Sequence, residues 1–189
     1  NLIRPLYFGL LDDSQTTFAR KRLIEALEHY DWRLGTGFLS TPFILDVLEQ
    51  YDMDAAYRVL ENEKMPGWLF MAKSGANTIW EAWEGTSAQE GIASLDHYSK
   101  GACCEWVFRE MCGIHVDGNN HFVIAPHPGG HFTYAATSYE SVFGTVKSGW
   151  EKKEDKTFVY RIEIPANTSA DVKLPDGREQ TIPAGKYEF

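Results

Sequence analysis

The chain has 189 residues, 43% of them hydrophobic and 24% charged, enough to bury one good core or two modest ones and to fold as a soluble protein. Its 18 Lys and Arg against 27 Asp and Glu give a formal net charge of −9, which offers no phosphate-tracking surface and argues against nucleic acid as a partner. No apolar run approaches the roughly 20 residues that span a bilayer, so no membrane partner is expected.

The opening Asn1-Leu2-Ile3-Arg4-Pro5 lacks the basic region, long apolar stretch and small-residue site of a secretory signal. A start inside helical-looking sequence, without Met, suggests a piece of a longer protein. From about Leu6 to Gly113 the pattern is helical. Asp12 or Asp13 can cap a helix in which Leu23, Ile24, Leu27 and Tyr30 share a face opposite Arg20, Arg22, Glu25 and Glu28. Gly35-Thr36-Gly37 breaks it. Thr41-Pro42, a side-chain cap with proline at the first helical position, launches a second run with Phe43, Ile44, Val47, Leu48 and Tyr51 available for the core. A third helix is predicted over about Asp54 to Asn62, using Ala55, Ala56, Tyr57, Val59 and Leu60. Met65-Pro66-Gly67 ends it, and Trp68-Leu69-Phe70-Met71 reads as buried. The last helix should run from His97 or Tyr98 to Cys112, with Ala102, Trp106, Val107 and Met111 inward and Glu105 and Arg109 outward. Gly113 stands where a helix end favours a left-handed residue. Cys103, Cys104 and Cys112 fall inside this helix without CxxC spacing. They read as buried small hydrophobes rather than disulfide or zinc ligands.

After Gly113 the pattern changes to short β-rich runs, at about His121–Ala125, His131–Tyr139, Gly144–Trp150, Thr157–Ile164 and Ala170–Leu174. A turn at Pro175-Asp176-Gly177 and a last strand near Tyr187 follow. Consecutive helices followed by consecutive strands predict an α+β protein in segregated units, residues 1–115 helical and 116–189 an antiparallel β-sandwich.

The most informative stretch is Gly75-Ala76-Asn77-Thr78-Ile79-Trp80-Glu81-Ala82-Trp83-Glu84-Gly85, two indoles and two carboxylates between glycines. Apolar plates beside a few acids suit a pyranose, which has hydrophobic C–H faces and a hydroxyl rim, so the stretch reads as the mouth of a carbohydrate site. On residues alone, Glu81 is either a solvated loop carboxylate or a site acid. Glu84 is a rim residue or a surface acid, and Trp80 and Trp83 line the site or fill the core. His97, near a helix start, projects into a cleft or lies satisfied at the surface. His121, His127 and His131 lie close in sequence, but their spacing and the lack of an accompanying acid cluster do not make a metal site, and no metal or cofactor is expected.

Several stretches, in order over about residues 36–150, resemble the C-terminal part of the bacterial α-L-rhamnosidases of glycoside hydrolase family seventy-eight. They are Thr36-Gly37-Phe38-Leu39-Ser40-Thr41-Pro42, Pro66-Gly67-Trp68-Leu69 through Thr78-Ile79-Trp80-Glu81, Ser94-Leu95-Asp96-His97-Tyr98, Pro126-His127-Pro128-Gly129-Gly130, and Ser138-Tyr139-Glu140-Ser141 to Gly144-Thr145. The resemblance implies that residues 1–113 are the final helices of an (α/α)6 barrel, followed by the family's C-terminal β-sandwich. It also implies an inverting hydrolase of terminal α-L-rhamnosides, with L-rhamnose-containing glycosides as partners. Glu81 then matches the family's general base, and His97 matches a residue that hydrogen-bonds the sugar. The family's general acid lies in an Asp-x-x-x-Arg-x-Glu-x-x-Gly-Trp motif that this sequence lacks. A chain with half of the catalytic pair is expected to be inactive alone, and a barrel cut open is expected to self-associate through its exposed helices. The competing readings are a non-catalytic carbohydrate-binding or scaffold protein, and a different (α/α)-barrel glycosidase. Scarce cysteine suits the cytoplasm, but periplasmic enzymes can also lack disulfides.

Overall fold

Two helices of this chain begin where an aspartate side chain satisfies a free amide. The computed structural model describes residues 2–87, 91, 93–118 and 120–189. Contacts divide the chain into two compact units, Asn1–Cys104 and Glu105–Phe189.

In the first unit a short helix α1 (Ile3–Tyr7) precedes α2 (Asp13–His29). Asp12 caps α2 through a reciprocal pair: its carboxylate accepts from the Gln15 amide at 2.9 Å, and the Gln15 side chain accepts from the Asp12 amide at 3.2 Å. Ala19, Leu23 and Leu27 form the buried face. Tyr30, assigned to that face from periodicity, lies just past the helix end and is exposed.

Pro42 sits in a 3-10 turn (Thr41–Phe43) that leads into α3 (Ile44–Glu49), whose Ile44, Leu45, Val47 and Leu48 are buried. The Thr41 hydroxyl does not cap this helix as expected. It donates backward to the Gly37 carbonyl at 3.0 Å, because the residue lies inside the turn and Ser40 occupies the cap position. Helix α4 (Met53–Leu60) is capped by Asp52, which accepts from the Ala55 amide at 3.0 Å, and all five predicted core residues are buried. Helix α5 (Trp68–Lys73) buries Trp68 and Met71. Side chains of this size contribute about 1.5–3 kcal/mol each on full burial.

The predicted single helix over 98–112 is divided into α6 (Tyr98–Gly101), α7 (Cys103–Trp106) and a π-helical turn, Val107–Met111, closed by the Cys112 amide on the Val107 carbonyl at 3.0 Å. Trp106 and Met111 are buried as expected. Cys103 and Cys112 are buried and Cys104 is exposed; all three are free thiols.

In the second unit Gly113, at φ 80°, turns the chain into β1 (Ile114–Val116), a strand too short to show alternation in the sequence. It pairs antiparallel with β2 (His121–Ile124). Strands β3 (Tyr134–Ser141), β4 (Gly144–Lys152), β5 (Phe158–Lys173) and β6 (Glu179–Glu188) complete a six-stranded sheet in the order β1-β2-β5-β4-β3, with β6 on β5. Every pairing is antiparallel except β2 with β5. β5 was legible only as two strands, because Pro165-Ala166-Asn167-Thr168 interrupts its alternation. The chain instead continues through an irregularity between Ile164 and Ser169, where Asn167 has φ 63° and the Thr168 hydroxyl donates to the Pro165 carbonyl at 2.7 Å. The half of β5 before this point pairs with β4 and the half after it with β2. Val146, Trp150, Phe122, Ile124, Tyr160, Ile162, Ile164, Ala170, Val172 and Ile182 bury one face of the sheet. The π-turn is tied to β4 by two buried bonds, Trp150 Nε1 to the Met111 carbonyl at 2.8 Å and Ser148 Oγ to the Cys112 carbonyl at 2.5 Å.

Candidate functional site

The segment carrying the two indoles and two carboxylates is neither a helix nor a strand in its first half. It is held by main-chain bonds to the stretch just before α6. The Glu81 amide donates to the Ser94 carbonyl at 2.8 Å and the His97 amide to the Ile79 carbonyl at 2.7 Å, while the Thr78 hydroxyl donates to the Leu95 carbonyl. This short ladder brings together two residues that stand 16 apart in sequence. Oε2 of Glu81 lies 4.0 Å from Nδ1 of His97.

Oε2 of Glu81 also accepts from the Ser94 amide at 3.1 Å, and the side chain is 45% exposed. One oxygen is therefore anchored, and among the described residues no donor reaches the other. The 4.0 Å to His97 is ion-pair range and too long for a hydrogen bond. His97 caps α6 with an extended backbone, so its ring leaves the helix axis and points back at the ladder. The ring meets Phe38 edge-on at 6.3 Å and stacks on Tyr98 at 5.8 Å. Its Nε2 is buried and has no partner among the described residues. The Ser99 hydroxyl donates to the Phe38 carbonyl at 2.6 Å and so fixes the Phe38 loop to α6.

The four aromatic and acidic candidates differ in placement. Trp80 is nearly buried, with its six-membered ring so close over Gly85, at φ 57°, that a Cβ there would stand 2.3 Å from Cε3. It supports the segment from beneath. Trp83 is half-buried, with its edge toward Trp68 at 6.5 Å between ring centroids and 74° between planes. Glu84 is exposed, and its carbonyl accepts from Ser87 Oγ at 2.7 Å in the 3-10 turn Gly85–Ser87.

Sequence reasoning passed over Lys100. It is 5% exposed, its ammonium donates to the Glu81 carbonyl and lies 3.8 Å from the Trp83 ring centroid, and its own carbonyl accepts from Trp68 Nε1 at 2.8 Å. Burial pushes its pKa down, against the opposing attraction of Glu81 and Glu84. No helical spacing marked it, because His97 is the extended residue before α6 and the three-residue interval does not place the two on one helix face.

Two of the three clustered histidines go to separate partners. His121 meets Ser169 Oγ at 2.8 Å and Asp171 at 3.3 Å, and His127 meets Glu110 at 3.3 Å. Among the described residues no group of three or more His, Cys, Asp or Glu is arranged to hold a metal ion, and no helix is long and apolar enough to cross a membrane.

A family model described as the bacterial α-L-rhamnosidase 6 hairpin glycosidase domain matches residues 1–111, and one described as the bacterial α-L-rhamnosidase C-terminal domain matches residues 115–188. An α-L-rhamnosidase of Formosa agariphila is 33% identical over 192 residues, covering 97% of this chain and 21% of its own. The crystal structure of native α-L-rhamnosidase from Aspergillus terreus aligns over 100% of this chain and 23% of its own, at 28% identity and a TM-score of 0.87. That of Streptomyces avermitilis α-L-rhamnosidase complexed with L-rhamnose aligns over 100% of this chain and 21% of its own, at 30% identity and the same TM-score of 0.87. The chain spans about a fifth of the length of the curated relatives it matches.

Proposed function

The chain belongs to the bacterial α-L-rhamnosidase family, and from that premise we propose that it forms the C-terminal part of an inverting hydrolase of terminal α-L-rhamnosides. Residues 1–115 are the last helices of the (α/α)6 catalytic barrel and residues 116–189 its C-terminal sandwich domain. Glu81 is the general base.

In an inverting reaction the base draws a proton from water as that oxygen bonds to the anomeric carbon. The glycosidic C–O bond breaks on the opposite face, and the leaving oxygen takes a proton from the acid. The base must be ionised, reachable by water and fixed in direction. Glu81 meets these demands in part by construction: one oxygen is anchored by the Ser94 amide, and the side chain is 45% exposed. His97, whose side chain is 18% exposed beside Glu81, holds a sugar hydroxyl. Trp83 and Glu84 line the rim, with Trp80 supporting the segment. The observation that carries the reading is the convergence of Glu81 and His97 to 4.0 Å by a ladder of main-chain bonds.

The acid belongs to sequence outside this chain, so the 189-residue polypeptide is inactive by itself and supplies the base and part of the pocket. Glu81→Gln in the full-length protein should lower hydrolysis of an aryl α-L-rhamnoside by about 10²–10⁴-fold. Near-wild-type turnover would remove Glu81 from the mechanism.

The helical unit exposes Phe8, Leu10, Phe18, Tyr30, Phe38 and Leu39, and Ile3, Leu23, Leu27 and Ile44 line an apolar groove on it. Apolar surface of this extent drives association. The isolated chain therefore self-associates through its helices, and a monodisperse monomer by light scattering at high concentration would refute this.

A further inference from the structure

We propose that Lys100 is a positioning residue of the Glu81 site, clamping the main chain of the base and the ring of Trp83 from beneath. The inference rests on Glu81 being the base, and it adds a residue that neither the sequence motifs nor the aromatic-acid segment indicates.

Glu81 is held on both sides. Its amide is taken by the Ser94 carbonyl at 2.8 Å, and its carbonyl is taken by the Lys100 ammonium. With both flanking peptide groups fixed, the Cα–Cβ vector that aims the carboxylate has little freedom. The same ammonium, 3.8 Å from the Trp83 ring centroid, attracts the negative face of the indole and fixes the second aromatic of the segment. Trp68 closes the arrangement from the other side, with its indole N–H on the Lys100 carbonyl and its ring edge-to-face with Trp83. One turn of chain, His97 to Lys100, thus sets the sugar-facing imidazole and the clamp on the base together.

The energetic sign separates this role from a merely structural one. Lys100 is 5% exposed as a residue, so its ammonium gives up hydration, and a carbonyl and a ring face return only part of that loss. The depression of its pKa by burial has the same origin. A buried methionine of similar length would keep the packing of the stem without the desolvation. Stability alone therefore does not call for a cation here, whereas the aiming of Glu81 does. The charged groups facing the ammonium are Glu81 and Glu84, with the His97 ring beyond Glu81.

The test compares Lys100→Met and Glu81→Gln in the full-length protein, each by steady-state kinetics on an aryl α-L-rhamnoside and by thermal unfolding. Lys100→Met should lower kcat by about 10–100-fold, as loss of alignment does, with KM within about threefold and a melting temperature no lower than the parent's. Unchanged kcat in Lys100→Met beside an inactive Glu81→Gln would overturn the positioning role and leave the base assignment standing. Activity retained in Glu81→Gln would overturn both. A raised KM at unchanged kcat would also overturn it, since Lys100 would then serve binding. Should Lys100→Met fail to unfold cooperatively, Lys100→Ala assayed with added propylammonium decides. Recovery of kcat with the amine, and not with sodium chloride at equal ionic strength, supports the clamp, and no recovery refutes it.

Discussion

Gly113→Ala is expected to destabilise the β-rich unit severely. At φ 80° an alanine costs roughly 1–2 kcal/mol in backbone strain alone. The added Cβ would stand 2.1 Å from Pro126 N and 2.3 Å from the Ala125 carbonyl carbon. Both are main-chain atoms, so no rotamer change relieves the overlap, and moving that segment costs about 1–3 kcal/mol more. The movement also stretches the bond from the Ala125 amide to the Gly113 carbonyl, now 2.8 Å, worth about 1 kcal/mol. The total, roughly 3–6 kcal/mol, compares with the roughly 4–13 kcal/mol available to a folded unit of this size. Urea unfolding of the whole chain, followed by amide exchange resolved to peptides over 114–124 and 146–150, reads this unit separately. With a slope of about 1 kcal/mol per molar urea, the midpoint should fall by at least about 3 M, or the unit should be open without denaturant. A midpoint within about 0.5 M of the parent would show that the close approach of Gly113 to Pro126 is not a constraint.

Two further outcomes follow from titratable groups. Burial of Glu110 pushes its pKa up, but His127, Arg109 and His115 together bring it below its usual value. Burial foremost pushes His115 down, with Glu110 opposing. For both groups the unfolded chain holds its proton more tightly than the folded one, so each contributes stability that is present above its unfolded pKa and lost as pH falls through the folded one. The β-rich unit should therefore weaken on acidification first below about 6.5 and again below about 4.5. His115→Gln should erase the upper step in urea midpoints measured from pH 8 to 3, and a pH-independent midpoint in the parent would contradict the reasoning. The Cys104 thiol, exposed and hydrogen-bonded by its neighbour Cys103, is lowered to about 6. A chromogenic disulfide at neutral pH should therefore label one thiol rapidly in the native chain and the other two only after unfolding; equal rates for all three would refute this.

The helical unit was legible because its caps and core spacing are local. Asp12 and the five residues of α4 lie where the sequence puts them. The misreadings come from features that periodicity does not encode. The π-turn at 107–111 keeps helical composition while breaking the helix, and Pro165 interrupts the alternation of β5 without ending the strand. β2 and β5 pair in parallel across almost fifty residues, a contact that no short window contains. At the candidate site the aromatic-acid segment and His97 were visible as motifs. Their approach depends on bonds from Glu81 and Ile79 to residues 94 and 97, which are main-chain groups and leave no mark in residue identity. Lys100 was missed for a related reason, since its partners are a carbonyl and a ring face rather than an acid at helical spacing.

The path of β5 bears on how this chain emerges from the ribosome. Because its two halves serve β4 and β2, and β6 zips along both, the β1–β2 and β3–β4 pairs, synthesised earlier, must wait for residues 158–188 before they join one sheet. Residues 114–124 spend that interval as a lone hairpin, which is marginal in water. Stalled nascent chains ending before residue 158 should consequently leave the hairpin protease-sensitive, and emergence of residues 158–188 becomes the step that commits this unit to its native state.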